Sequence, residues 1–478
     1  MVARWLDPAH LGLWEVIVDL VTFAAYPAGI VTYWATRDVA RGRMVGRTAL
    51  VFGMLLSGGG LVIYAAFALV TYSSLATSIL PFLLAVLLVP LSYWSAVVNA
   101  ILQGHRPGAY GYSLILSEFA KLGIAYTTLY ALKMGILGVI LALITAYFVQ
   151  SIVSSFFIWS TTKESASFSL AKRWTKLAWV PSFNSLYVMI AVADTYVASL
   201  GFGTAIAGYY QVAFVVASVV GYSSGLAFAL YPLLLRGGGE RLPRITMEFS
   251  LLFSIPMAVG SLVLAEPMLF LFRKIYVPGA LGLEILSVMF VFTTISGIID
   301  QTLLGTERVD ESSKASFHDF FRSNLLFVPI MNLSFACTYL AALYLSLYYS
   351  FSSGLSTSAT VALWASVELL ATVAFMLLKA LRARHYARLL PGVSVFYYLV
   401  AASVMGLIIH FLSGVMVNPS LSTIAYGAQI LGLALVGSAI YFSVVFALDR
   451  KFRAMVHQIL ERFRLGERLS SRKDSQKR

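Results

Sequence analysis

Cysteine and charge are the scarce commodities of this chain. Its 478 residues include one cysteine, and only 12% of side chains are charged. The lone Cys337 excludes an internal disulfide and any cysteine-ligated metal cluster. Soluble domains carry roughly 25% charged residues, so 12% beside 59% hydrophobic residues excludes an ordinary water-soluble fold. Acid is the scarcer sign, 21 residues against 34 basic, which leaves a net charge of +13. That excess lies in short loops between apolar runs rather than on one soluble face, so no nucleic-acid partner is expected. Signatures of catalysis do not stand out either, whether a His-Glu-x-x-His pattern, a phosphate loop or a serine nucleophile elbow. The external segments offer only Asp7 and Glu266 as carboxylates, far apart. No enzyme activity, cofactor or metal is expected, and no cleavable signal peptide precedes the first apolar run.

What the chain has in quantity is long hydrophobic runs. A bilayer core about 30 Å thick needs about 20 helical residues. Thirteen such runs are present, at 11–35, 48–72, 77–102, 110–132, 134–159, 177–200, 206–234, 246–266, 279–304, 324–349, 357–380, 394–416 and 424–448. Alternate gaps and the C-terminal tail, with Lys379 at the very end of its run counted among them, hold 29 of the 34 basic residues. The other gaps and the N-terminus hold Arg4, Lys133, Arg273 and Lys274, and Lys121 lies inside a run. Lysine and arginine stay on the cytoplasmic side, so the chain reads as an all-α polytopic membrane protein with its C-terminus in the cytoplasm. From Asp449 the tail carries Phe452, Met455, Val456, Ile459, Leu460 and Phe463 at helical spacing, with Lys451, Arg453, Arg462 and Arg464 between them. This predicts a basic amphipathic helix on the inner leaflet.

The first and seventh runs align without gaps at an offset of 196, pairing Gly12 with Gly208, Val16 with Val212, Tyr26 with Tyr222 and Gly29 with Gly225. The third run ends Gly104-His105-Arg106 and the ninth Gly305-Thr306-Glu307-Arg308. An offset of six runs is even, so the copies point the same way, as in transporters built from parallel repeats. The predicted organisation is an N-terminal five-helix bundle (1–160), a six-helix bundle (161–380), two further helices (381–448) and the tail (449–478). Five runs against six predicts that a first helix is missing upstream of residue 11.

Several motifs carry a family resemblance. Leu6-Asp7-Pro8-Ala9-His10-Leu11-Gly12, Ala193 to Gly201 around Asp194, Ala207-Gly208-Tyr209-Tyr210, Tyr231-Pro232 and Leu271 to Ala280 stand in the order and spacing of one group. The chain resembles, over residues 6 to about 450, the polysaccharide flippases of the multidrug/oligosaccharidyl-lipid/polysaccharide (MOP) exporter superfamily. That resemblance implies a fourteen-helix transporter, here without its first helix, that flips a polyprenyl-diphosphate-linked oligosaccharide to the outer leaflet of a prokaryotic plasma membrane. Membrane lipids and glycan-assembly enzymes are the implied partners, and a monomer is expected. The alternative is a cation-coupled drug or metabolite antiporter of the same superfamily. Such antiporters usually have twelve spans, whereas the extra pair 394–448 suits a flippase.

Charges inside hydrocarbon cost several kcal/mol and so are candidate sites. Lys121, near mid-bilayer, stands at i, i+3 from Glu118. It is expected to meet a diphosphate or acidic sugar, or alternatively to do no more than neutralise Glu118. Asp194, and the pair Glu15 and Asp19, are candidate Na⁺ or H⁺ coupling groups. Arg41, Arg43, Arg106, Arg173 and Arg236 are placed by charge rule at the cytoplasmic mouth, where guanidinium forks suit phosphate. Glu284, Asp300 and Glu368 read as interfacial residues towards the ends of their runs.

Overall fold

The computed structural model describes residues 8–75, 78–191, 193–202, 204–311, 317–384 and 392–458. Every regular element among them is helical. In chain order they are α1 (Pro8–Ala25), α2 (Ala28–Ala40), α3 (Gly46–Leu75), α4 (Leu80–Ala85), α5 (Leu88–His105), α6 (Pro107–Tyr126) and α7 (Ile136–Ile158). Then come α8 (Phe168–Lys176), α9 (Trp179–Ala191), α10 (Ala193–Phe202), α11 (Thr204–Ala217), α12 (Leu230–Leu235), α13 (Leu242–Val263) and α14 (Ala265–Phe272). The last are α15 (Ala280–Thr306), α16 (Phe317–Arg322), α17 (Asn324–Ser352), α18 (Thr357–Ala383), α19 (Ser394–Met416) and α20 (Thr423–Leu448). Ten helical stretches among the described residues are long and apolar enough to cross a membrane. The three remaining expected spans are there but irregular. Run 11–35 breaks at Tyr26-Pro27 between α1 and α2, run 110–132 leaves α6 through a π-helical turn at Thr127–Ala131, and run 177–200 is shared by α9 and α10.

The chain forms two compact units, Met1–Met189 with Phe228–Gly239 and Leu303–Leu333, and Ile190–Ala227 with Glu240–Thr302 and Ser334–Arg478. In the first unit Val31, Trp34, Val98, Ile101, Trp174 and Leu325 are buried together. In α6 the buried residues Ala109, Ser113, Ser117 and Ala125 form a small-residue stripe, and α7 is the helix it packs on. Small side chains let two membrane helices approach closely, which replaces the hydrophobic drive that lipid does not supply. In the second unit Tyr210, Leu283, Leu286, Leu343, Val361 and Trp364 form the centre. There α19 and α20 pack on each other, and α13 packs on α19.

The repeat inferred from sequence has a physical counterpart in two glycines. A Cβ on Gly104 of α5 would stand 2.8 Å from the main-chain oxygen of Thr36 in α2. A Cβ on Gly305 of α15 would stand 2.8 Å from Leu234 Cβ in α12. The third run thus presses on the end of the first as the ninth presses on the end of the seventh. Beyond α20, residues 450–458 are helical. Asp449 Oδ1 accepts from the Lys451 amide at 2.9 Å, and Arg453 donates to the Phe446 and Ala447 carbonyls at 3.1 and 2.7 Å. The remaining tail residues Ile459, Leu460, Arg462, Phe463 and Arg464 lie outside the described residues.

Candidate functional site

In the first unit, α2 ends with two arginines one turn apart, Arg37 and Arg41, so both guanidiniums leave one helix face. Their common acceptor is Asp310, in the 3-10 turn Val309–Glu311. Arg37 is fully buried, and all five of its N–H donors are used. Nε and Nη2 hold the two carboxylate oxygens of Asp310 at 2.9 and 2.7 Å. Nη1 donates to Tyr231 Oη at 3.2 Å and the Leu304 carbonyl at 2.8 Å, and Nη2 also to the Glu307 carbonyl at 2.8 Å. Arg41 grips the same carboxylate from Nη1 at 2.5 Å and Nη2 at 3.0 Å, and its Nε lies 3.0 Å from Glu311. Arg173 donates to the Asp310 main-chain oxygen at 2.8 Å. Charge and geometry therefore clasp the 303–311 segment onto α2.

Next to the clasp opens a cavity of about 750 Å³, lined by Arg41, Arg43, His105, Arg236, Arg308 and Glu311 among others. Arg236 is held by main-chain oxygens alone: Ala40 at 3.2 Å, His105 at 2.8 Å, and Gly104. Arg308 donates to the Leu234 and Leu235 carbonyls and to Glu311 at 2.8 Å. Arg43 pairs with Asp38 at 2.9 Å, and Arg106 is exposed outside the cavity lining. Of the five arginines expected at the mouth, the cavity thus gathers Arg41, Arg43 and Arg236. Sequence reasoning missed Arg37, Arg308 and Asp310 as partners, although the i, i+4 spacing of Arg37 and Arg41 was a usable signal.

A second cluster lies in the second unit. Asp194 Oδ2, in the first turn of α10, accepts from Tyr339 Oη at 2.9 Å. Tyr339 in turn accepts from Trp364 Nε1 at 2.8 Å. The Trp364 ring stacks on Tyr210, centroids 3.8 Å apart and planes 6° from parallel, and the Tyr210 hydroxyl donates to Glu368. Two carboxylates brought by α10 and α18 are so joined through aromatic groups from α11, α17 and α18. Hydroxyl donors offset the cost of taking a carboxylate out of water, and the arrangement can take up a proton or a small cation. Glu368, read as interfacial, is the twelfth residue of the 27-residue α18, well inside that helix. Asp300, also read as interfacial, accepts from the buried Lys379 ammonium at 2.9 Å, and Lys379 also donates to Ser296 at 3.1 Å. Among the described residues no group of three or more His, Cys, Asp or Glu side chains is placed to hold a metal ion.

Lys121 and Glu118 form the i, i+3 ion pair their spacing predicted, at 2.6 Å, with side chains 36% and 49% exposed on α6. Glu15 and Asp19 are on α1, and their side chains lie outside the described residues. The repeat copies share one more feature. The break at Tyr26-Pro27 corresponds to the 3-10 stretch Ser218–Ala229, which interrupts the seventh run around Tyr222. Helices broken at matching places in two halves are a pointer to a transport site.

No family model matches the chain, and no curated protein matches it. Solved structures do resemble it. A multidrug-resistance MATE family transporter of the MOP superfamily, in an outward-facing conformation, superposes with a TM-score of 0.60 at 15% identity, covering 80% of this chain and 91% of that one. A MATE transporter of Vibrio cholerae gives 0.59 at 15% identity, with the same two shares of 80% and 91%. A MOP superfamily transporter of Pyrococcus furiosus gives 0.60 at 16% identity and again covers 80% and 91%. At such identity the likeness is one of architecture, and this chain has the all-helical fold of the MATE transporters.

Proposed function

We propose that this protein is a membrane transporter that moves a polyprenyl-diphosphate-linked oligosaccharide from the inner to the outer leaflet of a prokaryotic plasma membrane by alternating access. The observation that carries the reading is the Lys121–Glu118 pair, charged and half-exposed on an otherwise apolar helix. A lysine near mid-bilayer costs at least ~2.5 kcal/mol on insertion scales, so such a pair is maintained where water and a polar ligand reach it. An ammonium group there suits a diphosphate or an acidic sugar. Asp194 and Glu368 form the coupling site, taking H⁺ or Na⁺. The two helices α19 and α20, beyond the twelve spans usual for antiporters, favour a lipid-borne substrate. A second reading, a cation-coupled drug antiporter, draws on the same carboxylates and on the likeness to multidrug transporters.

Replacing Lys121 tests the proposal. Lys121→Ala is expected to abolish surface glycan while the protein still inserts and accumulates, and Lys121→Arg to restore part of it. Normal surface glycan in the alanine variant would refute the substrate role.

A further inference from the structure

The cavity beside the Arg37–Asp310 clasp holds four guanidiniums and an imidazole against one lining carboxylate. That carboxylate, Glu311, is 42% exposed and sits between two arginines, 3.0 Å from Arg41 Nε and 2.8 Å from Arg308 Nη1. Part of the donor set is still open. Arg236 spends Nε and Nη2 on carbonyls and leaves Nη1 without a hydrogen bond among the described residues. Among the described residues, Arg308 leaves Nε open, and Arg43 leaves Nε and Nη2 open. Arg236 is oriented by neutral main-chain oxygens, so its positive charge is positioned without being neutralised there, and Arg308 is held by the Leu234 and Leu235 carbonyls beside its pair with Glu311. Planar forks fixed around an open cavity are the geometry that binds phosphate oxygens in pairs.

We infer that this cavity is a binding site for a phosphate or diphosphate group, in which Glu311 is an internal stand-in that an incoming phosphate displaces. Displacement has a consequence for the fold. Glu311 is next to Asp310, and Arg41 holds both. A phosphate that recruits Arg41 and Arg308 loosens the hold of Arg41 on the 309–311 turn and biases the clasp towards release. Ligand arrival and release of the 303–311 segment are then one coupled equilibrium. For a lipid-borne diphosphate this names the entry site of the proposed substrate, and to that extent it rests on the transport reading; binding itself does not.

The test is binding to the full-length protein in nanodiscs of neutral phosphatidylcholine, with two probes: inorganic pyrophosphate in solution, and a polyprenyl diphosphate in the lipid. Glu311→Gln removes the stand-in and is expected to tighten binding by about tenfold. Arg43→Gln, on an exposed side chain, and Arg308→Gln are expected to weaken it by about the same factor. A response with both probes assigns the site to the phosphate group from either source. A response with the polyprenyl probe alone assigns it to a lipid headgroup. Affinities for both probes that ignore all three substitutions overturn the inference. If the substitutions shift binding but the wild type exports no glycolipid, the site stands and the transport reading fails. Export by the wild type with unresponsive binding gives the reverse result.

Discussion

Among the described residues, the buried charges Arg37, Arg41, Asp310 and Lys379 each have an ionic partner, and the partners differ in how much they can be spared. Asp310 serves two arginines, whereas Arg37 and Arg41 back each other up on one carboxylate. Removing one member of a buried pair costs about 3–5 kcal/mol because a charge is left uncompensated. Asp310→Ala is therefore expected to lose that amount in thermal or denaturant unfolding in detergent. Arg37→Met should lose distinctly less, since Arg41 still neutralises Asp310. Equal losses would contradict the shared-acceptor description. The i, i+4 spacing of Arg37 and Arg41 was legible, but their common acceptor was not, because Arg37 and Asp310 are 273 positions apart. Asp194 could be singled out as an acid in an apolar run. Its link to Glu368 through Tyr339, Trp364 and Tyr210 needs four helices that no local pattern relates. Lys121 and Glu118 are the opposite case, since an i, i+3 pair is a local matter.

The helices themselves were the most legible level, since a run of about 20 apolar residues has few alternatives in lipid. Where they break was less so. Pro27 explains the end of α1 by its missing N–H and its ring. The 3-10 stretch Ser218–Ala229 carries no proline, and its position matches the first break only through the repeat. Close approach gives this level its prediction. A methyl on Gly104 meets the Thr36 main-chain oxygen at 2.8 Å, whereas one on Gly108 meets nothing within 4 Å. Gly104→Ala should destabilise by about 1–3 kcal/mol, the usual cost of overpacking. Gly108→Ala should be neutral or slightly stabilising, through the reduced freedom of the unfolded chain. Parallel unfolding curves of the two variants check this, and a neutral Gly104→Ala would remove the tight α2–α5 contact from the account.

For the molecule as a whole, loop charge predicted which ends share a side; in the first unit Arg41, Arg43, Arg236 and Arg308 line one cavity. Arg173 and Arg37 stand behind it on Asp310. The architecture is shared with multidrug transporters, whereas the proposed substrate rests on individual side chains. The most direct measurement is therefore transport itself. The full chain is reconstituted in proteoliposomes with a fluorescent polyprenyl-diphosphate oligosaccharide in the source leaflet and an imposed H⁺ or Na⁺ gradient. The account predicts gradient-dependent appearance of the sugar in the opposite leaflet, no movement with Lys121→Ala, and loss of gradient dependence with Asp194→Asn or Glu368→Gln. A wild-type protein that carries a cationic dye while leaving the glycolipid where it started would contradict it.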